Sequence, residues 1–372
     1  EDKMPKEGDA NLDVEERVEL KLIQLRGVPY GDPLWDDLVD QLTYDELIGL
    51  LKGSAMPIES IAAMEGSVYD GPCGCRDDYI DELGARCAFP CAPIVAATFN
   101  DELVEEMAVA FGEVIRQHER TGIWGVSSNI HRLPYNGRNW EYFAEDGFLS
   151  GKMTATEAKG IMSKGVVVYN KHFALNNMEI NRNGVNTWAN EQTIREIYLK
   201  AFEAGVTEAN GNGMMSAYNR IGCTYAGEHK GLLTDVLRNE WGFKGVVASD
   251  YPDREYMGKG QPKVIARAVI AGQDEWISDV VGNQLNTDEF KNNATLRIAL
   301  RESAKRNLYV RVNSCVVNGM DSNTRVVTIM PEWQKAIHTA EISVGVIMGV
   351  CVLITAGCWV FRFFDRRKND EN

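Results

Sequence analysis

Residues 342–361, ISVGVIMGVCVLITAGCWVF, run for twenty positions without a charge. No other feature constrains the chain as strongly. At helical rise, a segment of that length covers ~30 Å, the hydrocarbon thickness of a bilayer. Glu341 closes one side of the run. Arg362, Arg366, Arg367 and Lys368 crowd the other, with Trp359, Phe361, Phe363 and Phe364 placed as interfacial anchors. In the stretch just before the run the one lysine is Lys335. The positive-inside rule therefore predicts a single-pass protein of the cell membrane, with a cytoplasmic tail at 362–372 and everything before 342 extracellular. Gly345 and Gly349 form a G-x-x-x-G, a weak signal for helix pairing.

The chain as a whole has globular composition. It is 44% apolar and 25% charged, ample apolar material to offset chain entropy. Its 54 acids exceed its 39 bases, giving a net charge of −15. That balance excludes nucleic acid as a partner, because phosphate backbones need clustered Lys and Arg. The cysteines do not form a disulfide framework. Cys73, Cys75, Cys87 and Cys91 lack the C-x-x-C spacing and a neighbouring His that a zinc site would show, so no metal is expected. The chain starts Glu1-Asp2-Lys3 without an export signal. An outward-facing body then leads to the expectation that this is the C-terminal portion of a longer protein.

Residues 1–40 are charged and punctuated by Pro and Gly, and read as a linker or the tail of a preceding domain. From 41 to 310, short apolar runs alternate with amphipathic helical stretches. Asn100 can cap a helix over 101–118 whose apolar face carries Leu103, Met107, Phe111, Val114 and Ile115. Strand-like runs are expected at 122–130, 166–169, 214–218 and 245–249. Helices are expected at 154–164, 191–204, 231–241 and 262–271. Repeated β-α units of this length without a G-x-G-x-x-G predict an α/β fold, a (β/α)₈ TIM-type barrel over 41–310. A stalk at 311–341 would then lead to a single C-terminal transmembrane helix at 342–361.

Polar residues gather just after the predicted strands, where parallel barrels place their sites. Asp70 stands in a turn, Asn129 to Arg138 follow one strand, and Lys171-His172 follow another. Tyr218-Asn219 and Asp250 end two more. With Trp140 and Tyr251 beside them, these carboxylates and cationic donors suit a polyol: the polar groups take hydroxyls and the aromatic faces cover the ring. There is no G-x-S-x-G, H-E-x-x-H or Walker loop.

The ordered motifs Asp70-Gly71-Pro72, NIHRLPYNGRNWEYFAED (129–146), KHFALNNMEINR (171–182), MMSAYNRIG (214–222) and GFKGVVASDY (242–251) closely resemble glycoside hydrolase family 3. This is the β-glucosidase and β-xylosidase group, and the resemblance covers roughly 41–310. It implies a retaining β-glycosidase, without metal or cofactor, acting on terminal β-linked sugars of an oligosaccharide or β-glycoside. Asp250 matches the catalytic nucleophile; seen alone it would read as the cap of a following helix. Asp70, Arg138, Lys171 and His172 match the residues that grip the sugar in subsite −1, and Met215 and Tyr218 match pocket-lining positions. Tyr251 would form the acceptor-side wall, although Tyr251-Pro252-Asp253 departs from the family's usual sequence. Phe173-Ala174-Leu175-Asn176-Asn177 after the Lys-His pair disfavours the N-acetylglucosaminidase subgroup.

Retaining hydrolysis also needs a carboxylic acid to protonate the leaving oxygen. By the resemblance, that acid comes from a second domain, and the 311–361 segment looks like the ending of bacterial members in which that domain precedes the barrel. Glu145, Glu179 and Glu191 are acidic and close to the motifs, but nothing in their spacing marks one as the acid. The competing reading is a membrane-tethered glycan-binding protein or an inactive pseudo-glycosidase.

Overall fold

The computed structural model describes residues 19–74, 87–279, 281–327 and 332–370. They divide into a unit ending at Thr324 and a second beginning at Arg325.

The first unit is built on a parallel sheet of five strands among the described residues. These are β1 (Val68–Asp70), β2 (Gly122–Trp124), β3 (Val167–Phe173), β4 (Gly213–Ser216) and β5 (Val246–Ser249), in that spatial order. The register pairs Val68 with Gly122, Ile123 with Val168, and Met215 with Ala248. Alternation along β3 sends Val167 and Tyr169 to one face and Val168 to the other. Both faces are covered, so the strands are apolar where they enter the sheet, as at Val167, Val168, Val246 and Val247, and turn polar towards their C-terminal ends, as at Asp70, Lys171 and His172.

The helices form where their local signals direct. Asn100 caps α1 (Asp101–Gln117), accepting from Leu103 N at 3.0 Å, and Val104, Ala108, Phe111 and Ile115 turn inward. Asp146 caps α2 (Gly147–Met162) by accepting from Leu149 N at 2.7 Å, so α2 starts at Gly147 and not at the expected Thr154. The two helices meet closely at Gly160, where a Cβ would lie 2.5 Å from the Cβ of Ala108. The helix expected over 191–204 begins as a short α-turn, widens to a π-helix at Ile194–Tyr198, and continues as α3 (Lys200–Thr207). Gly231–Glu240 is also a π-helix. α4 covers Pro262–Ala271, and α5 covers Ala294–Val312.

Three expectations need correction. The α/β fold is TIM-like as expected, but among the described residues its sheet is a parallel arc and not a closed ring of eight strands, with one parallel bridge, Ala248 to Glu275, extending it past β5. Beyond that bridge the chain runs as loop and short 3₁₀ turns through 50–66, where Gly53, Pro57 and Gly66 interrupt any apolar alternation. Arg311 ties this stretch down, donating to the carbonyls of Met56 at 2.7 Å and Gly53 at 3.2 Å. Second, the segment expected to be a linker is part of the core from residue 20 onward. Leu22, Leu25, Trp35 and Leu38 are buried in one cluster with Leu300, Ala304 and Leu308 of α5; residues 1–18 lie outside the described residues. Third, the expected stalk is structural at its start, because Val312, Val316 and Val317 belong to that same cluster.

The strand expected over 122–130 ends at Trp124. Its continuation stays buried but spends its polar groups on β3: Ser128 N donates to Lys171 O at 2.7 Å, and the Asn129 amide exchanges bonds of 2.8 and 3.0 Å with the His172 backbone. The second unit contains α6, Glu332–Asp370. Within it, Glu332–Val360 is long and apolar enough to cross a membrane.

Candidate active site

β1, β2, β3, β4 and β5 all point their C-terminal ends at one cavity of about 860 Å³. Asp70 ends β1, Lys171 and His172 lie near the end of β3, Met215 lies on β4, and Asp250 directly follows β5. A β-bulge between Asn170 and Phe173 breaks the register of β3, which re-aims side chains at a point where two consecutive residues, Lys171 and His172, both line the cavity. Arg138 arrives from the loop after β2, Tyr218 from the turn after β4, and Tyr251 stands at the rim with 56% exposure. Every residue singled out from sequence as catalytic or sugar-binding therefore meets in a single hollow: Asp70, Arg138, Lys171, His172, Met215, Tyr218, Asp250 and Tyr251.

Its electrostatics are organised around buried cations. Lys171 Nζ lies 2.8 Å from Asp70 Oδ1. Burial alone would raise the Asp70 carboxyl, but Lys171 and then Arg138 outweigh it and hold the group below its ordinary value. The fully enclosed His172 is driven well below the ordinary imidazole value, first by burial and then by Arg138 and Lys171. It is therefore neutral. Tyr142 OH sits 3.1 Å from His172 Nδ1; when the hydroxyl donates there, the ring proton resides on Nε2, the nitrogen 3.6 Å from Asp250 Oδ2.

Asp250 has one carboxylate oxygen met and one not. Oδ1 accepts from the Tyr251 N–H at 2.8 Å, whereas Oδ2 is buried without a hydrogen-bond partner. Burial pushes the carboxyl up to about 6, and Arg138, Arg182 and Lys171 limit the rise. At neutral pH it is ionised, with one oxygen unspent and directed at the space next to His172. Such a carboxylate can attack an electrophilic carbon in the cavity.

Glu141, Arg182 and Trp124 also line the wall, and no sequence signal assigned them to it. Glu141 has its carboxylate 1% exposed and pairs with Arg138 Nε. Arg182 pairs with Glu179 at 2.8 Å and stacks its guanidinium 4.6 Å over the Tyr218 ring. Trp124 and the half-exposed Trp140 line the cavity as well. The signal for the two ion pairs was present, since Arg138/Glu141 and Glu179/Arg182 are each three residues apart inside the quoted motifs. The acids named as near the motifs separate here: Glu179 lines the cavity, whereas Glu145 and Glu191 do not. Of the clustered cysteines, Cys73 lines the cavity and Cys75 lies outside the described residues. Among the described residues no group of three or more His, Cys, Asp or Glu is arranged to hold a metal ion.

The geometry has counterparts among known proteins. A family model described as the glycosyl hydrolase family 3 N terminal domain matches residues 75–280. Beta-glucosidase A of Butyrivibrio fibrisolvens is 40% identical over 228 residues, covering 58% of this chain and 27% of that protein. Thermostable beta-glucosidase B of Acetivibrio thermocellus is 38% identical, covering 58% of this chain and 30% of its own length. The structure of beta-glucosidase 3B from Thermotoga neapolitana in complex with glucose superimposes with a TM-score of 0.67 at 31% identity, covering 82% of this chain and 46% of that one. The chain thus spans less than a third of the two curated relatives.

Proposed function

Because the chain belongs to glycoside hydrolase family 3, we propose that it is the sugar-binding and nucleophile-bearing part of a retaining β-glucosidase-like hydrolase. Asp250 carries the reading: it is an ionised carboxylate with a buried, unpaired oxygen facing the cavity. In the first step that oxygen bonds to the anomeric carbon as the bond from carbon to the leaving oxygen breaks, and the leaving oxygen takes a proton from an acid. In the second step water attacks the anomeric carbon, an acceptor takes the water's proton, and the aspartyl ester is released. Asp70 accepts sugar hydroxyls, while Lys171, Arg138 and the Nε2–H of neutral His172 donate to sugar oxygens. Met215, Tyr218 and Tyr251 supply the apolar wall. None of these steps calls on a metal or cofactor.

The acid belongs, in this proposal, to a preceding domain of the full-length protein. The chain's coverage of 27% of one β-glucosidase leaves ample room for it. The membrane anchor is likewise proposed. Support comes from the charge-free run at 342–361, from the long apolar helix Glu332–Val360, and from the basic cluster at Arg362–Lys368. On this reading the residues before 342 face outward and the tail at 362–372 is cytoplasmic, as the positive-inside rule favours.

An aryl β-glucoside with a dinitrophenolate leaving group tests the chemistry, because such a leaving group needs little acid assistance. The expected outcome is a burst of one dinitrophenolate per chain that Asp250→Ala abolishes. Glucose binding without any burst would overturn the hydrolase reading.

A further inference from the structure

The two cations that face the sugar site share one buried partner that does not itself follow from the site's chemistry. Glu141 closes a 3₁₀ turn, Asn139–Glu141, that starts directly after Arg138. Its Oε1 pairs with Arg138 Nε, its Oε2 accepts from Ser127 Oγ at 2.8 Å, and the same oxygen lies 3.9 Å from Lys171 Nζ. The next residue, Tyr142, reaches His172 Nδ1. One short segment thereby orders three of the groups that line the cavity.

We propose that Glu141 is a positioning residue, whose buried carboxylate holds Arg138 and Lys171 in their sugar-facing geometry. The physical need is plain. Arg and Lys carry long stems with large rotamer freedom, and two cations around one small cavity repel each other. Asp70 restrains Lys171 from one side only, and its side chain is 50% exposed. Glu141 adds a second carboxylate, 3.9 Å from Lys171 Nζ, and engages Arg138 at Nε, which leaves the Nη nitrogens for a ligand. Ser127 fixes the orientation of the carboxylate. An ion pair at this depth is little screened by solvent or salt. The proposal rests on the hydrolase reading above, since it assigns Glu141 an effect on that reading's chemistry.

The test is a double-mutant cycle on the full chain, read as the rate of the dinitrophenolate burst at a temperature well below the melting point of each variant. Glu141→Gln keeps the shape and removes the charge. It is expected to slow the burst at least ~10-fold, from the loss of charge-assisted contacts to both cations. In the Lys171→Met background the same change is expected to cost less than ~3-fold, because one of the groups it positions is already gone. A merely structural Glu141 would give equal losses in both backgrounds, and that result overturns the proposal. If Glu141→Gln does not fold, Ser127→Ala takes its place. Its expected effect is about a 3- to 10-fold slower burst that again shrinks beside Lys171→Met, from the loss of one hydrogen bond to a charged group; an unchanged burst overturns the proposal. A wild-type burst that Glu141→Gln retains in full overturns the positioning role alone. A wild-type chain with no burst removes the hydrolase reading and this proposal together.

Discussion

Asp274 and Asp250 are both held against β5, and they are treated in opposite ways. Asp274 is completely buried and completely paired. Its Oδ2 accepts from Arg238 at 2.6 Å and from Val247 N at 2.8 Å, and its Oδ1 accepts from Arg306 at 2.9 Å. Those bonds clamp α5 and the Gly231–Glu240 helix onto the sheet. Asp250 has one backbone donor and an orphaned oxygen. A buried charge is tolerable when its lone pairs are met, and costly when they are not. The first arrangement serves the fold. The second is a local cost that makes sense where a reacting carbon will arrive to complete the shell.

That contrast can be broken by substitution. The largest expected effect is on chemistry: Asp250→Ala should cut the dinitrophenolate burst by at least ~10⁴-fold in stopped-flow traces, as removal of a nucleophile does elsewhere. Asp274→Ala should leave the cavity residues in place yet destabilise the chain by about 3–5 kcal/mol in urea titrations, because two guanidinium groups lose their shared partner. Asp70→Asn should weaken glucose binding by roughly 10²-fold in calorimetry, through loss of the Lys171 pair and of a carboxylate acceptor.

The smallest effect is the most diagnostic. The folded Asp250 carboxyl is raised, by burial first, from 3.8 to about 6. Between those values the folded state binds more protons than the unfolded state, so stability falls as pH rises through that window. Above 6 the cost of the buried charge is fully present. Asp250→Asn should therefore stabilise the chain at pH 7 by on the order of 1 kcal/mol, seen as a higher melting temperature and limited because the amide is itself buried and polar, and the gain should fade towards pH 4. Asp274→Asn should lower the melting temperature at both values. In the wild-type chain the burst should decline below about pH 6 as Asp250 takes up its proton.

The site was more legible in sequence than the frame that holds it. Asp70, Lys171-His172, Tyr218 and Asp250 could be placed together because each follows a short apolar run, and parallel strands deliver their C-terminal ends to one face. Glu141 was hidden: beside Trp140 it reads as a surface acid, and its burial depends on Ser127 and Lys171 from other elements. Helix starts were visible where an Asn capped them, as at Asn100, and displaced where the cap was Asp146 and a Gly followed. Leu22, Trp35 and Leu38 lie among Pro, Gly and acids, and local pattern gave no hint that α5 would cover them. The arc that the described residues form in place of a full ring was also invisible, because loop 50–66 is held by Arg311, a residue that follows it by more than two hundred positions.

The central claim is most directly tested by trapping the covalent intermediate. A 2-deoxy-2-fluoro-β-glucoside with a dinitrophenolate leaving group, incubated with the full chain, should add one fluoroglucosyl group to the intact mass, and peptide mapping should place it on Asp250. An adduct on another carboxylate, or one that persists in Asp250→Ala, would contradict the account.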